Sequence, residues 1–146
     1  MEIITMTHDH VPQIAQLEKV CFSDPWSVSS IATELDNRLS YWLVAVENGT
    51  VLGYIGSQTV LGETDIMNLA VSPDARRRGI GRALLLRLMT DLKNGGNRCV
   101  SLEVRESNEA AKALYASLGF VQVGLRPNYY RNPKEGALIL RKEYDL

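Results

Sequence analysis

The stretch NLAVSPDARRRGIGRALLL, residues 68–86, constrains the fold more than any other part of the chain. An apolar strand pattern ends at Ser72-Pro73, and an amphipathic helix pattern follows the arginines, with Ile80 and Leu84 one turn apart. A glycine-rich turn between two such elements leaves backbone N–H groups unpaired, and the positive end of the helix dipole reinforces them. The stretch therefore predicts an anion-binding turn, suited to a phosphate, in a fold that packs helices against a sheet.

The spacing of the glycines distinguishes this turn from two other phosphate-binding loops. A P-loop requires GxxxxGK followed by Ser or Thr, and the chain contains no such string. A dinucleotide-binding fingerprint requires a third glycine where Leu84 stands. What remains is the pattern RxxGxG, formed by Arg76, Gly79 and Gly81. By itself this pattern is also compatible with a solvated surface turn.

The first half of the chain predicts strands and helices in alternation. EIITM is typical of a short strand, and the helix after it is predicted to begin at the Thr7 cap. A second helix is expected over residues 27–37, and Asn48-Gly49 supplies the positive φ angles that a tight hairpin requires. TDIMNLAV, residues 64–71, predicts another strand. The apolar face of the first helix is predicted to consist of Val11, Ile14, Leu17 and Val20.

The second half predicts a helix after the glycine turn, ended by Gly95-Gly96, and then a strand with the sequence CVSLEV. NEAAKALYASLGF is typical of a helix that begins at Ser107 or Asn108 and ends at Gly119. Two β segments, FVQVGLRPNYY and GALILRKEYDL, complete the chain. This order predicts an α/β (α+β) fold with a mixed sheet and helices on its faces, and the length of 146 residues predicts one domain over residues 1–146.

The net charge of −1 conceals a strong asymmetry. Residues 1–75 carry 2 Lys and Arg against 10 Asp and Glu, whereas residues 76–146 carry 14 against 7. The basic half could hold an anionic ligand and the acidic half a cationic one, or the two sets could pair within the fold. Direct nucleic-acid binding is not expected, because the chain is net acidic and has no basic stripe interleaved with aromatic residues.

Cys21 and Cys99 show no CxxC or Cys/His spacing, so neither a disulfide framework nor a metal site is expected. The N-terminal MEIITMTHDH lacks the features of a signal peptide, and no run of eighteen apolar residues occurs. These observations predict a cytoplasmic protein that does not bind a membrane.

The RxxGxG turn, the strand before it and the later NEAAKALYASLGF together resemble the GCN5-related N-acetyltransferase (GNAT) family. The resemblance implies the GNAT fold, a mixed and mostly antiparallel sheet of about seven strands flanked by about four helices, and acetyl-CoA as co-substrate. Glycines in the turn let a backbone approach the pyrophosphate, and pantetheine can pair with a strand edge as a peptide does. The contacts implied for pantetheine are Leu69, Ala70 and Val71, and those implied for pyrophosphate are Arg77, Arg78, Gly79, Ile80, Gly81 and Arg82. Asn108 is implied both to cap its helix and to reach the cofactor.

The resemblance also implies Glu103 as the base that removes a proton from the attacking amine and Tyr115 as the acid that protonates the departing thiolate. Without the resemblance, the residues alone favour a solvent-facing strand residue at Glu103 and a half-buried packing residue at Tyr115. A phenol with the ordinary pKa of about 10 can protonate a thiolate whose pKa is about 8.5, provided that the two groups touch.

Within the family, the segments CFSDPWS, LEVRESNEAAKALYASLGF and RPNYYRNP resemble the branch that acetylates the N-terminal alanine of a small-subunit ribosomal protein. That branch implies an N-terminal peptide as acceptor, and an α-amino group near pKa 8 is easier to neutralise than a lysine near 10.4. Other N-termini, lysines, small amines and a non-catalytic acetyl-CoA-binding regulator remain alternatives. The residues implied to flank the peptide entrance, which could equally be core or hairpin residues, are Phe22, Pro25, Trp26, Tyr129, Tyr130 and Arg131. Asp24, Glu34 and Asp36 are candidates for attracting a basic peptide.

Overall fold

The computed structural model describes residues 1–144, in which seven strands form one sheet in the order β1-β2-β3-β4-β5-β7-β6. The strands are β1 (Glu2–Thr5), β2 (Ser40–Glu47), β3 (Thr50–Val60), β4 (Glu63–Val71), β5 (Cys99–Arg105), β6 (Val121–Tyr130) and β7 (Glu135–Glu143). The helices are α1 (Val11–Cys21), α2 (Val28–Glu34), α3 (Ile80–Asn94) and α4 (Glu109–Ser117), with short 3-10 turns at His8–His10 and Pro73–Ala75. The mixed sheet with four α-helices confirms the predicted fold. Two residues of the last predicted β segment, Asp145 and Leu146, lie outside the described residues.

Each face of the sheet has its own helices and its own core. Along β2, Trp42 and Val44 face α1 and α2, whereas Leu43 and Ala45 face α3, as the two-residue period of a strand requires. The hairpin between β2 and β3 turns at Asn48 and Gly49, whose φ angles of 51° and 79° confirm the predicted tight turn. Among residues 1–144, no helix has the length and hydropathy needed to cross a membrane.

The predicted apolar face of the first helix is wrong at one position. Val20 is 55% exposed, whereas Val11 and Ile14 are buried. The helix proper begins at Val11, after the 3-10 turn, and Val20 follows about two and a half turns later, so its side chain points away from the sheet. Glu18, seven residues and therefore about two full turns after Val11, faces the sheet instead and is 1% exposed.

The sheet opens between β4 and β5, its one parallel pair among the described strands. The two strands pair at Glu63–Cys99, Thr64–Val100 and Asp65–Ser101 and at no later position. Both strands continue beyond this point, so they diverge and leave a gap in the middle of the sheet. A register shift against β3 leaves Met67 of β4 without a pairing partner there and increases the local twist. The diverging strands position the site.

Candidate active site

A cavity of about 780 Å³ lies in the gap between β4 and β5. Its floor consists of residues from the two diverging strands, and α4 contributes one side. The rest of its lining comes from Cys21 at the end of α1 and from two entrance loops, the α1–α2 loop (residues 22–27) and the β6–β7 segment (residues 128–134). The cavity therefore brings together three stretches that the sequence resemblance singled out.

The glycine turn after β4 presents unpaired backbone N–H groups. Gly79 precedes α3 with a φ of 74°. After Gly79, the first backbone N–H that donates a hydrogen bond within the protein is that of Ala83, which donates to the Gly79 carbonyl at 3.0 Å. Within residues 1–144, no acceptor contacts the N–H groups of residues 77–82. Such a row of donors at the positive end of a fifteen-residue helix fits a pyrophosphate.

The arginine side chains of this turn contact other parts of the protein. Arg78 pairs with Glu47 at 2.6 Å, and Arg82 donates to the Ser117 hydroxyl at 3.0 Å. Gly81 has space around it, because a Cβ added there would meet only the Val71 Cγ2 atom, at an ordinary 3.6 Å. Packing within the protein thus does not explain a glycine at position 81, whereas a ligand held on the backbone would.

The edge of β4 after the divergence is available to a ligand. Leu69, Ala70 and Val71 pair with β3 on one side, and β5 has turned away from them on the other. An extended amide-containing chain can add to such an edge through main-chain hydrogen bonds. This geometry fits the pantetheine contacts that the sequence resemblance implies.

Glu103 lies on β5 and lines the cavity. Its carboxylate is 30% exposed and pairs with Arg126 at 3.3 Å. The neighbouring Glu103 carboxylate, together with burial, raises the pKa of Tyr129. Burial and the nearby charges of Glu103 and Glu63 raise the pKa of Asp65. Glu103 is therefore a partly desolvated carboxylate with a hydrogen-bond donor beside it, inside the cavity.

Tyr115 lines the cavity from α4 and is 7% exposed. Its ring packs edge-on against Phe120, with the ring centroids 5.5 Å apart. Burial, with a smaller effect of the neighbouring Tyr130, raises the pKa of Tyr115 to about 12. Full transfer of its proton to a free thiolate of pKa about 8.5 would then be uphill by about 5 kcal/mol. Burial therefore makes Tyr115 a weaker acid than an exposed tyrosine, and its assignment as the acid that protonates the departing thiolate stays a prediction.

Asn108 caps α4, as one of the two sequence alternatives expected. Its side-chain oxygen accepts a hydrogen bond from the Ala111 N–H at 3.1 Å. Asn108 also lines the cavity, so capping and contact with a ligand are compatible at this position. Among residues 1–144, no group of three His, Cys, Asp or Glu side chains is arranged to hold a metal ion.

The entrance residues combine packing with access to the cavity. Trp26 packs against Trp42 with ring centroids 5.5 Å apart, yet it also lines the cavity together with Phe22. Tyr129 and Tyr130 line the opposite side. Trp26 therefore packs in the core, as one sequence alternative predicted, and its place in the cavity lining is compatible with the other, contact with a peptide.

Glu34 cannot attract a basic peptide, and the expectation from sequence is wrong here. It is 7% exposed, and its carboxylate accepts hydrogen bonds from Gln58 at 2.9 Å and from the Trp42 indole at 3.4 Å. These contacts make it a buried support of α2. Asp24 lines the cavity and Asp36 is exposed, so both remain accessible to a peptide.

Sequence reasoning missed Glu18, which joins the α1–α2 loop to β4. Its carboxylate accepts hydrogen bonds from the Trp26 N–H at 2.8 Å, from the Asn68 amide at 2.9 Å and from the Tyr54 hydroxyl. Burial raises its pKa. The available signal was a charged residue placed seven positions after Val11, on the apolar face of α1.

Comparison with known proteins agrees with this geometry. A family model described as Acetyltransferase (GNAT) family matches residues 11–120. The [ribosomal protein bS18]-alanine N-acetyltransferase of Escherichia coli K12 is 39% identical over 133 residues, which cover 89% of this chain and 88% of that protein. The N-alpha-acetyltransferase RimI of Mycobacterium tuberculosis is 38% identical over 144 residues, or 94% of this chain and 89% of that protein.

Solved structures show the same architecture. The crystal structure of the ribosomal-protein-S18-alanine N-acetyltransferase from Escherichia coli matches with a TM-score of 0.92 at 34% identity, covering 99% of this chain and 94% of that one. The structure of Ard1 from Thermoplasma volcanium, at 22% identity, shares the fold with a TM-score of 0.91.

Proposed function

The chain belongs to the GNAT family of acetyltransferases, and on that premise we propose that it transfers the acetyl group of acetyl-CoA to the N-terminal alanine of a small-subunit ribosomal protein. In this proposal residues 1–146 act as one catalytic domain. The observation that carries the proposal is the cavity between β4 and β5, which Glu103 and Tyr115 line from different elements, together with the free backbone N–H groups of the turn that follows β4. Relatives named as bS18-alanine N-acetyltransferases support the choice of acceptor.

The co-substrate is proposed to bind along β4 and at the glycine turn. Leu69, Ala70 and Val71 offer the pantetheine arm a free strand edge, and Asn108 faces the same cavity from the start of α4. The pyrophosphate is assigned to the free N–H groups of Arg77, Arg78, Gly79, Ile80, Gly81 and Arg82. Because Arg78 and Arg82 are engaged with Glu47 and Ser117, the peptide groups provide most of the binding.

When bound, acetyl-CoA supplies the thioester carbonyl that the acceptor amine attacks. Glu103 is proposed to take a proton from that amine, and its partly exposed carboxylate allows the proton to leave to solvent afterwards. Tyr115 is proposed as the acid for the departing thiolate, with its hydroxyl donating a hydrogen bond to the sulfur as negative charge develops there. Because an α-amino group near pKa 8 is already about one-tenth neutral at pH 7, one carboxylate is an adequate base.

The choice of acceptor is tested with peptides that differ at one position. The protein is incubated with acetyl-CoA and with peptides that begin with Ala, Ser or Met and contain one internal lysine. Each peptide is also prepared in a second form, in which a formyl group blocks the α-amine. We expect mass spectrometry to find one acetyl group on the alanine peptide and none after blocking.

Acetylation that survives the block would contradict an N-terminal acceptor and favour lysine. Acetyl-CoA binding without transfer to any peptide or small amine would favour a non-catalytic regulator. Intact-mass comparison of small-subunit ribosomal proteins, with and without treatment by the enzyme, then identifies the natural acceptor.

Replacing Tyr115 by Phe is expected to lower kcat about 100-fold, the lower end of the range for removing one hydrogen bond to developing charge. The Kd for acetyl-CoA should change less than twofold, because the phenyl packing on Phe120 is retained. Tyr144→Phe is the matched control, since its hydroxyl donates to the Met89 carbonyl at 3.2 Å, outside the cavity lining. Equal kcat in the two variants would contradict a role for the Tyr115 hydroxyl.

The raised pKa of Tyr115 gives a further expectation for the same enzyme. A pKa raised to about 12 keeps the phenol protonated well above the ordinary value, so its hydrogen bond is lost only in strong alkali. The value of kcat/KM should rise through the pKa of the amine near 8 and stay level to pH 10. A decline near pH 10 that disappears in Tyr115→Phe would contradict the effect of burial.

A further inference from the structure

The β6–β7 segment that borders the cavity has few contacts of its own with the sheet. Pairing of β6 with β7 stops after Arg126–Ala137 and resumes only at Tyr130–Glu135. Residues 131–134, which connect the strands, are exposed. Asn128 and Asn132 adopt left-handed φ angles of 58° and 55°. Such a segment has little buried apolar surface to hold its position, and it would open locally unless other groups restrain it.

Arg105 provides that restraint from the end of β5. Its guanidinium donates from Nη2 to the Arg131 carbonyl and from Nη1 to the Pro133 carbonyl, both at 2.9 Å. A third hydrogen bond, from Nη1 to Glu135 Oε1, is 3.1 Å long. The planar guanidinium has several donors in fixed directions, so one side chain can satisfy two carbonyls and a carboxylate together.

The same guanidinium also packs against Tyr130. Its Cζ atom lies 4.4 Å from the centre of the Tyr130 ring, a cation–π geometry. Glu135 in turn accepts hydrogen bonds from the Ser107 N–H at 3.2 Å and from the Ser107 hydroxyl at 2.9 Å. Arg105 therefore joins the β6–β7 segment to β5, and Glu135 joins it to the start of α4.

Tyr130 lines the cavity together with both residues to which the chemistry is assigned. Burial and the nearby charge of Glu103 raise the pKa of Tyr130 to about 12, and Tyr130 itself contributes to the raised pKa of Tyr115. Arg105 follows Glu103 by two residues on the same strand, so both side chains project from one face of β5. One strand thus carries both Glu103 and Arg105, the residue that contacts the Tyr130 ring in the same cavity lining.

From these contacts we infer that Arg105 is a positioning residue for the acceptor, holding Tyr130 and the β6–β7 segment at the mouth of the cavity. The inference rests on the proposed function, since it concerns where the acceptor peptide binds. Arg105 touches neither the glycine turn nor the β4 edge, so its loss should weaken peptide binding and leave acetyl-CoA binding intact.

The test uses the full chain with three substitutions. Arg105→Met removes the donors and the charge but keeps an unbranched side chain, whereas Arg105→Lys keeps the charge without the planar set of donors. Arg87→Gln is the control, because it removes an arginine that pairs with Asp91 on α3, at 3.2 Å, away from the cavity. Each protein is assayed for the KM of the alanine peptide, for the Kd of acetyl-CoA by calorimetry, and for the rate of trypsin cleavage after Arg131 and Lys134.

We expect Arg105→Met to raise the peptide KM at least tenfold and to accelerate cleavage after Arg131 and Lys134 at least tenfold, with the Kd of acetyl-CoA within twofold of the wild type. For Arg105→Lys, the peptide KM and the cleavage rate should both lie between those of Arg105→Met and those of the wild type. Arg87→Gln should match the wild type in both. If Arg105→Met fails to fold, the same comparison with Arg105→Lys decides, with a smaller expected rise of about threefold.

An unchanged peptide KM, or a Kd of acetyl-CoA that rises as much as the peptide KM, would overturn the inference. Unchanged cleavage of the segment would overturn it as well. A wild-type enzyme that does not acetylate the peptide would contradict the proposed function instead. In that case the cleavage rates, which need no acceptor, decide whether Arg105 holds the segment.

Discussion

Glu103→Gln is expected to lower kcat for the alanine peptide by about 100-fold or more at pH 7, the range of a single general base. Glutamine keeps the size of the side chain and can still accept a hydrogen bond from Tyr129, but it cannot take a proton. Arg126, which pairs with Glu103, is more than half exposed, so its charge is solvated after the substitution and the fold should persist. Thermal unfolding within about two degrees of the wild type would verify this.

The pH dependence separates this role from a general effect of charge. The ratio of wild-type kcat to Glu103→Gln kcat should be largest at and below neutral pH, where the acceptor amine is mostly protonated. It should become smaller above pH 9, where most of the amine is already neutral. Glu63→Gln is the matched control, because Glu63 is an exposed carboxylate on β4 that pairs with Arg141 at 3.1 Å, away from the cavity lining. Equal kcat for Glu103→Gln and Glu63→Gln at pH 7 would show that the base is elsewhere.

The turn with free backbone N–H groups could be predicted from sequence because it depends on local residues. Two glycines between a strand and a helix are enough to indicate free N–H groups, and the structure places them at residues 77–82. The gap in the sheet could not be predicted in this way. The gap arises because β5 pairs with β4 only as far as Asp65–Ser101, whereas it pairs with β7 along its whole length. Pairing between strands that are far apart in sequence leaves no local sequence pattern.

Glu18 and Arg105 were missed for the same physical reason. Glu18 contacts Asn68, fifty residues away, and Arg105 contacts the carbonyl of Arg131, twenty-six residues away. Each is an ordinary charged residue in sequence and acquires its role only through contacts made by the fold. Tyr115 could be singled out as a candidate from sequence, but its burial could not. That burial, which raises its pKa to about 12, depends on packing in the fold, including the contact with Phe120.

Whether peptide groups or arginines hold the pyrophosphate can be decided at Gly81. A Cβ at this position would meet the protein only at Val71 Cγ2, 3.6 Å away, and the φ of Gly81 is not in the left-handed region. Alanine in the first turn of α3 should therefore be tolerated, and it could stabilise the fold by up to about 1 kcal/mol because glycine loses more backbone entropy in a helix. A phosphate oxygen in contact with the backbone N–H groups would, in contrast, be displaced by the added carbon.

We therefore expect Gly81→Ala to raise the Kd of acetyl-CoA about tenfold and Gly81→Val about 100-fold or more, while thermal stability is kept or rises in Gly81→Ala. Arg76→Ala should raise the Kd about fivefold at most, because the Arg76 side chain is exposed and a solvated charge contributes little. Calorimetric titration with acetyl-CoA measures the order directly. A greater loss in Arg76→Ala than in Gly81→Val would assign the pyrophosphate to arginine side chains. If Gly81→Ala loses thermal stability and the Kd of acetyl-CoA rises in proportion to that loss, the glycine is required for folding and not for binding the ligand.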